Sequence, residues 1–281
     1  MLDREELIEQ AYFFRVLGER IGANVPMQEL LGSVREEILT TTRLPMAIDY
    51  LLAELLHSGV MSTAMEKLAH YFTPFQTYVM QEAENDRGRF DFRVALEILR
   101  YEADYRAAGG SPQGMFMFQF ETLCRNRLKY DKGLGAMMGD PIYDEAWSAW
   151  LDFMRRQIGF VDLGDMIFIR SEYSLTVRRR RGESDPQPEQ PLLFGEREGK
   201  IAMANRLKDP LLLFAALQRQ LGYPTVPRLK PYDETPQLVP QLARRLERLE
   251  HRLKLMEEEQ KAGAIDITKF YQGPPPRADL A

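Results

Sequence analysis

Glu54 and His57 stand three residues apart, and Glu66 and His70 follow at i and i+4. Helical bundles use carboxylate and imidazole at such spacings to hold metal ions, with every ligand projecting inward. The neighbouring apolar residues argue against that use. Ile48, Leu51, Leu52, Leu55 and Leu56 define one helical face, and Glu54 and His57 fall about 140° or more from its centre. Glu66 and His70 lie similarly away from Met65, Leu68 and Phe72, and there is no second Glu-x-x-His. All four read as solvated polar residues, so neither a metal nor a cofactor is expected.

Cys124 is flanked by Arg125 and Arg127, a setting that favours thiolate. It also shares a helical stripe with Phe120 and Leu128, which makes it a core thiol. One cysteine excludes an internal disulfide and fits a reducing compartment. The glycine clusters GGSPQG (109–114) and GLGAMMGD (133–140) lack the lysine of a phosphate loop and the third glycine of a dinucleotide fingerprint. Both read as helix stops and turns. Arg178 to Arg181 form a dense basic run beside Glu183, Asp185 and Glu189, with no interleaved aromatics, and read as a solvated strand end rather than a nucleic-acid or phosphate patch. There is no G-x-S-x-G, H-E-x-x-H or C-x-x-C, so no residue is assigned to catalysis. Were a pocket present, Arg170, Glu172 and Tyr173 are its candidate polar groups, because they sit where the composition of the chain changes.

The elements that would position these groups are mostly helical. Over residues 1–160 the pattern predicts eight short helices. Their starts are marked by Asp3 with Glu6, Pro26, Pro45, Thr63 with Glu66, Thr73-Pro74, Asp91, Ser111-Pro112 and Asp140-Pro141. Short connections imply an antiparallel array around one core, without a fixed repeat. The run Met115 to Phe118 also fits a strand. After Gly159 the apolar residues Ile167, Ile169, Tyr173, Leu175 and Val177 alternate, which predicts a strand paired with the segment near 192–194 or 201–203. Asp209-Pro210 caps one more helix to Leu221.

Near the end, Val239, Leu242, Leu246, Leu249, Leu253 and Met256 alternate at spacings of three and four, a heptad seam. Arg245 and Arg252 fall at g and Glu250 and Glu257 at the following e positions, so a parallel pair would match opposite charges.

The expected architecture is mainly α: an antiparallel multi-helix array, a small β-containing segment, and a C-terminal amphipathic, coiled-coil-like helix. The body spans 1–222, with the array over 1–160 and the strand-containing segment over 161–222. A proline-rich spacer (223–236), the heptad helix (237–261) and a disordered tail (262–281) complete it. A net charge of −5 makes nucleic acid a poor principal partner. An acidic N-terminus and the absence of any long apolar run point away from export or membrane insertion and toward the cytoplasm. The expected function is a non-enzymatic interaction or scaffold protein, associating with itself through the heptad helix and with a further protein partner. The alternative is an enzyme with a pocket between the array and residues 165–203.

Overall fold

The structure is a computed structural model that describes residues 2–21, 25–85, 90–184 and 186–228, and beyond them Leu246, Leu249, Leu253, Lys254 and Met256. The chain divides into two compact units, Met1–Leu229 and Lys230–Ala281. Thirteen helices are described in the first: α1 (Arg4–Arg20), α2 (Met27–Arg35), α3 (Leu44–Ser58), α4 (Ser62–Lys67), α5 (Pro74–Ala83), α6 (Phe92–Ala107), α7 (Pro112–Arg125), α8 (Tyr130–Met138), α9 (Glu145–Gln157), α10 (Leu163–Ile169), α11 (Glu172–Arg180), α12 (Glu196–Ala204) and α13 (Pro210–Leu221). The mainly helical reading is therefore correct for this unit.

Several helix starts follow from local chemistry. Thr73 and Gln76 form a reciprocal capping box at α5, and the Asp91 carboxylate accepts from the Arg93 and Val94 amides at α6. Ser111 and Asp209 cap α7 and α13 in the same way. Left-handed glycines end α3 at Gly59 and α13 at Gly222. Three expected caps are corrected. Glu6 does not close a box with Asp3; it accepts from the Arg43 amide at 2.8 Å and from its Nε at 3.2 Å. Thr63 lies inside α4, whose first amides, Met61 and Ser62, are closed by the Glu84 carboxylate at 2.5 and 2.9 Å. Asp140 does not open a helix; α9 begins five residues later behind Asp144, whose carboxylate accepts from the Trp147 amide.

Helix α7 is the centre of the unit. Every residue from Gly114 to Leu123 is buried, so its pattern has no polar face, and the run Met115 to Phe118 belongs to a helix and not a strand. Around it α1 packs on α6, α8 on α9, and α10 on α12. The 133–140 glycine cluster, read as a turn, is mostly α8. A Cβ on Gly133 would come within 2.5 Å of Leu123 Cδ2, so the missing side chain is what lets α8 close on α7.

The expected strand at 167–178 is corrected most fully. Those residues form α10 and α11, which are joined by an extended Ser171. In their place are isolated bridges, Ser171 to Phe194 and Ile158 to Val161. Helices this short do not complete a 3.6-residue pattern, and the change of direction at Arg170–Ser171 resets its phase. The body also runs past residue 222. Tyr223 and Val226 are buried, the Tyr223 hydroxyl donates to Glu121 Oε2 at 2.8 Å, and Asn126 Nδ2 donates to the Pro227 carbonyl at 3.1 Å. The first half of the expected spacer is thus docked. The remainder of the spacer, the tail, and Val239, Leu242, Arg245, Glu250, Arg252 and Glu257 lie outside the described residues.

Candidate functional site

Arg170 closes the C-terminus of α10, where the chain turns into α11. Its carbonyl accepts from the Leu193 and Phe194 amides at 2.9 and 3.1 Å, and the Glu172 amide returns a bond to the Phe194 carbonyl at 3.0 Å. Gln113 of α7 donates to the Leu193 carbonyl at 2.7 Å. The segment around 190–194 is thereby strapped across the α10–α11 junction. Phe194 anchors the strap among Phe116, Trp147 and Trp150, with ring centroids 5.2–6.1 Å away.

Between α9, α10, α11 and this strap lies a cavity of about 460 Å³. Trp150, Phe153, Met166, Phe168 and Val177 give it apolar walls, and Arg170, Arg178, Arg181, Glu189 and Gln190 supply charge and polarity. Arg170 is 6% exposed. Its Nη1 donates to Gln190 Oε1, and its Nε is buried with no hydrogen-bond partner. No carboxylate pairs with it among the described residues, and burial lowers its pKa. Arg178, by contrast, is held by Glu183 at 2.5 Å and by Glu189 at 3.9 Å.

Of the three candidate pocket residues, then, Arg170 lines the cavity. Glu172 and Tyr173 are not among its lining residues. The Tyr173 ring sits instead by Lys200 Nζ, 5.4 Å from its centroid, and edge-on to Phe168. The run Arg178 to Arg181 ends a helix and not a strand, and it reaches the cavity mouth through Arg178 and Arg181.

A second concentration of charge is buried where α6, α7 and Asp140 meet. The Arg106 guanidinium donates to Glu102 Oε1 at 2.7 Å and to both oxygens of Asp140. Gln119 Nε2 donates to Glu102 at 2.9 Å and to Asp140 at 3.0 Å, and Tyr143 donates to Gln119 Oε1 at 2.7 Å. The side chains of both acids are fully buried. Sequence reasoning missed this cluster because its hydrogen-bonded partners are 17 to 34 residues apart, except Glu102 and Arg106, which share a helix. Arg106 also touches a cavity of about 510 Å³ floored by Gln10 and Gln76, with His70 at its exposed rim.

Burial raises the Glu102 pKa, with Asp140 adding to the rise and Arg106 opposing it. The unfolded chain therefore releases this proton at lower pH than the fold does. Over the interval between the two pKa values the unfolded state binds fewer protons, so stability falls as pH rises through it. Glu102→Gln is expected to remove that decline when urea stability is measured from about pH 4 to 7. An unchanged slope in the variant would rule out Glu102 as its source.

Cys124 is a packed thiol, pushed up to about 11 chiefly by burial, against the lowering effects of Tyr130 and Arg125. Glu54 pairs with Lys67 at 2.7 Å. Among the described residues no three His, Cys, Asp or Glu side chains gather closely enough to hold a metal ion, and no helix is long and apolar enough to cross a membrane. Comparison with protein-family models, curated proteins and solved structures finds no match to the chain.

Proposed function

We propose that this is a non-enzymatic interaction protein that self-associates through the heptad helix over 237–261. The observation that carries the reading is the state of Leu246, Leu249, Leu253 and Met256. All four are helical, and each is 55–59% exposed. They occupy successive a and d positions, so together they form an apolar stripe along that helix. A second copy is the favoured occupant because register and charge agree: when two stripes meet in parallel, Arg245 faces Glu250 and Arg252 faces Glu257. The seam is under three heptads long, so association should depend on concentration.

The test is the solution mass of the full chain by light scattering across protein concentrations. Beside it run Leu246→Lys with Leu253→Lys, and a chain ending at Thr235. The full chain is expected to be a dimer or larger, and both altered chains to be folded monomers. A monomeric full chain, or an unchanged mass in the double variant, would overturn the reading.

The enzymatic alternative draws support from the cavity at Arg170, which lies at the anticipated junction. Its lining is better suited to holding a ligand than to attacking one. The Ser174 hydroxyl donates to the Ser171 carbonyl at 2.7 Å, and the Glu189 carboxylate faces Arg178. Neither belongs to a nucleophile–base pair.

A further inference from the structure

We propose that the cavity between α9, α10, α11 and the 190–194 strap binds a small apolar monocarboxylate whose anionic head is held by Arg170. A buried charge is normally matched by an opposite one, because its lost hydration is not otherwise replaced. The fold follows that rule at Arg106, which two carboxylates enclose. At Arg170 it does not: the guanidinium is buried, no carboxylate pairs with it among the described residues, and one neutral amide oxygen accepts from Nη1, while an unpartnered Nε is common to both arginines. The missing partner is an anion, and the cavity is where one can reach it.

The walls state what else the ligand must carry. Trp150, Phe153, Met166, Phe168 and Val177 offer apolar and aromatic surface to the body of the ligand. A volume of about 460 Å³ falls within the range of about 300–1,000 Å³ usual for small-molecule sites. An apolar body with one anionic end fits that division.

The charge count selects a single negative charge. Arg178 is already committed to Glu183 and Glu189, and Arg181 stands exposed at the mouth. One buried guanidinium matches one carboxylate, and its planar fork suits two parallel N–H···O bonds. A dianionic phosphate would bring a second charge toward Glu189 with no buried cation to meet it. The adjoining opening, which also borders Trp150, Phe153, Arg170 and Gln190, carries Asp144 and Glu145, so an anion is disfavoured there. Gln190 is exposed, and it is the group a carboxylate displaces from Nη1.

The experiment titrates the full chain with decanoate, naphthoate, decanol and acetate, followed by calorimetry and by tryptophan fluorescence, since Trp150 forms part of the wall. At least one of the two apolar carboxylates is expected to bind saturably. Decanol and acetate should bind about ten-fold or more weakly, the first lacking the head and the second the body. Arg170→Met keeps an unbranched side chain and removes the charge. It should cost the carboxylate about ten-fold or more and leave decanol unaffected. Leu175→Trp, which fills the cavity from α11, should abolish both. Equal affinity of decanoate and decanol for the unaltered protein would overturn the proposal, and that comparison stands even if a variant fails to fold. So would binding that survives Arg170→Met and Leu175→Trp, or no binding of either apolar carboxylate.

Discussion

Arg106→Met lowers the stability of the fold by about 3–5 kcal/mol, the usual consequence of stripping the cation from a buried ionic cluster. The magnitude follows from what remains. Glu102 and Asp140 are fully buried, and each would lose its charged donor, leaving Gln119 to donate to both and the Ile142 amide to Asp140. Two carboxyls sharing a dry site cannot both stay ionised, so the variant should take up protons on folding near neutral pH. Urea denaturation at neutral and acidic pH measures both effects, and the loss should shrink in acid. Adding Glu102→Gln and Asp140→Asn to Arg106→Met removes the stranded charges, so the triple variant should be more stable than the single one. If instead the three losses simply add, the cluster is not an electrostatic unit.

Phe194→Ala is the second large loss, about 3–5 kcal/mol by the same measurement. Phe194 is 2% exposed and its ring meets those of Phe116, Trp147 and Trp150. Its removal empties a site walled by rigid aromatics, which relax poorly into the void. The effect should not stop at packing. The strap that Phe194 anchors also exchanges backbone hydrogen bonds with Arg170 and Glu172, so the α10–α11 junction should loosen with it. Both tryptophans lie against the deleted ring, and the emission spectrum of the folded variant should shift. A variant with unchanged midpoint and emission would show that the strap is held from elsewhere.

What was legible in the sequence was chemistry acting over three or four residues. Thr73, Asp91, Ser111 and Asp209 mark their helix starts in the structure as their types imply. Reading failed where a residue's partner lies far along the chain. Glu6 and Asp140 look like local caps, but their carboxylates are taken by Arg43 and Arg106. The helix expected from Ser111-Pro112 is α7, although burial on all sides leaves it no polar face; reading failed again at α8, where Gly133 leaves space that Leu123 fills. The alternation at 167–178 was real, but it spans two helices of seven and nine residues. The site was visible only through Arg170, chosen by its position. That no carboxylate among the described residues meets its guanidinium is a fact of three-dimensional packing, and no spacing encodes it.

The capping of α4 carries a consequence for how this chain assembles. Six residues are too few to hold a helical turn against solvent unaided, and the donors that open α4 are closed by Glu84, 22 and 23 positions downstream at the far end of α5. Emerging from a ribosome, α4 therefore has no finished beginning until the whole of α5 has followed it. The order of synthesis runs from α4 to α5, and the order of consolidation runs the other way. The stretch from Met61 to Glu84 should accordingly form and melt as one cooperative unit, however it is divided on paper.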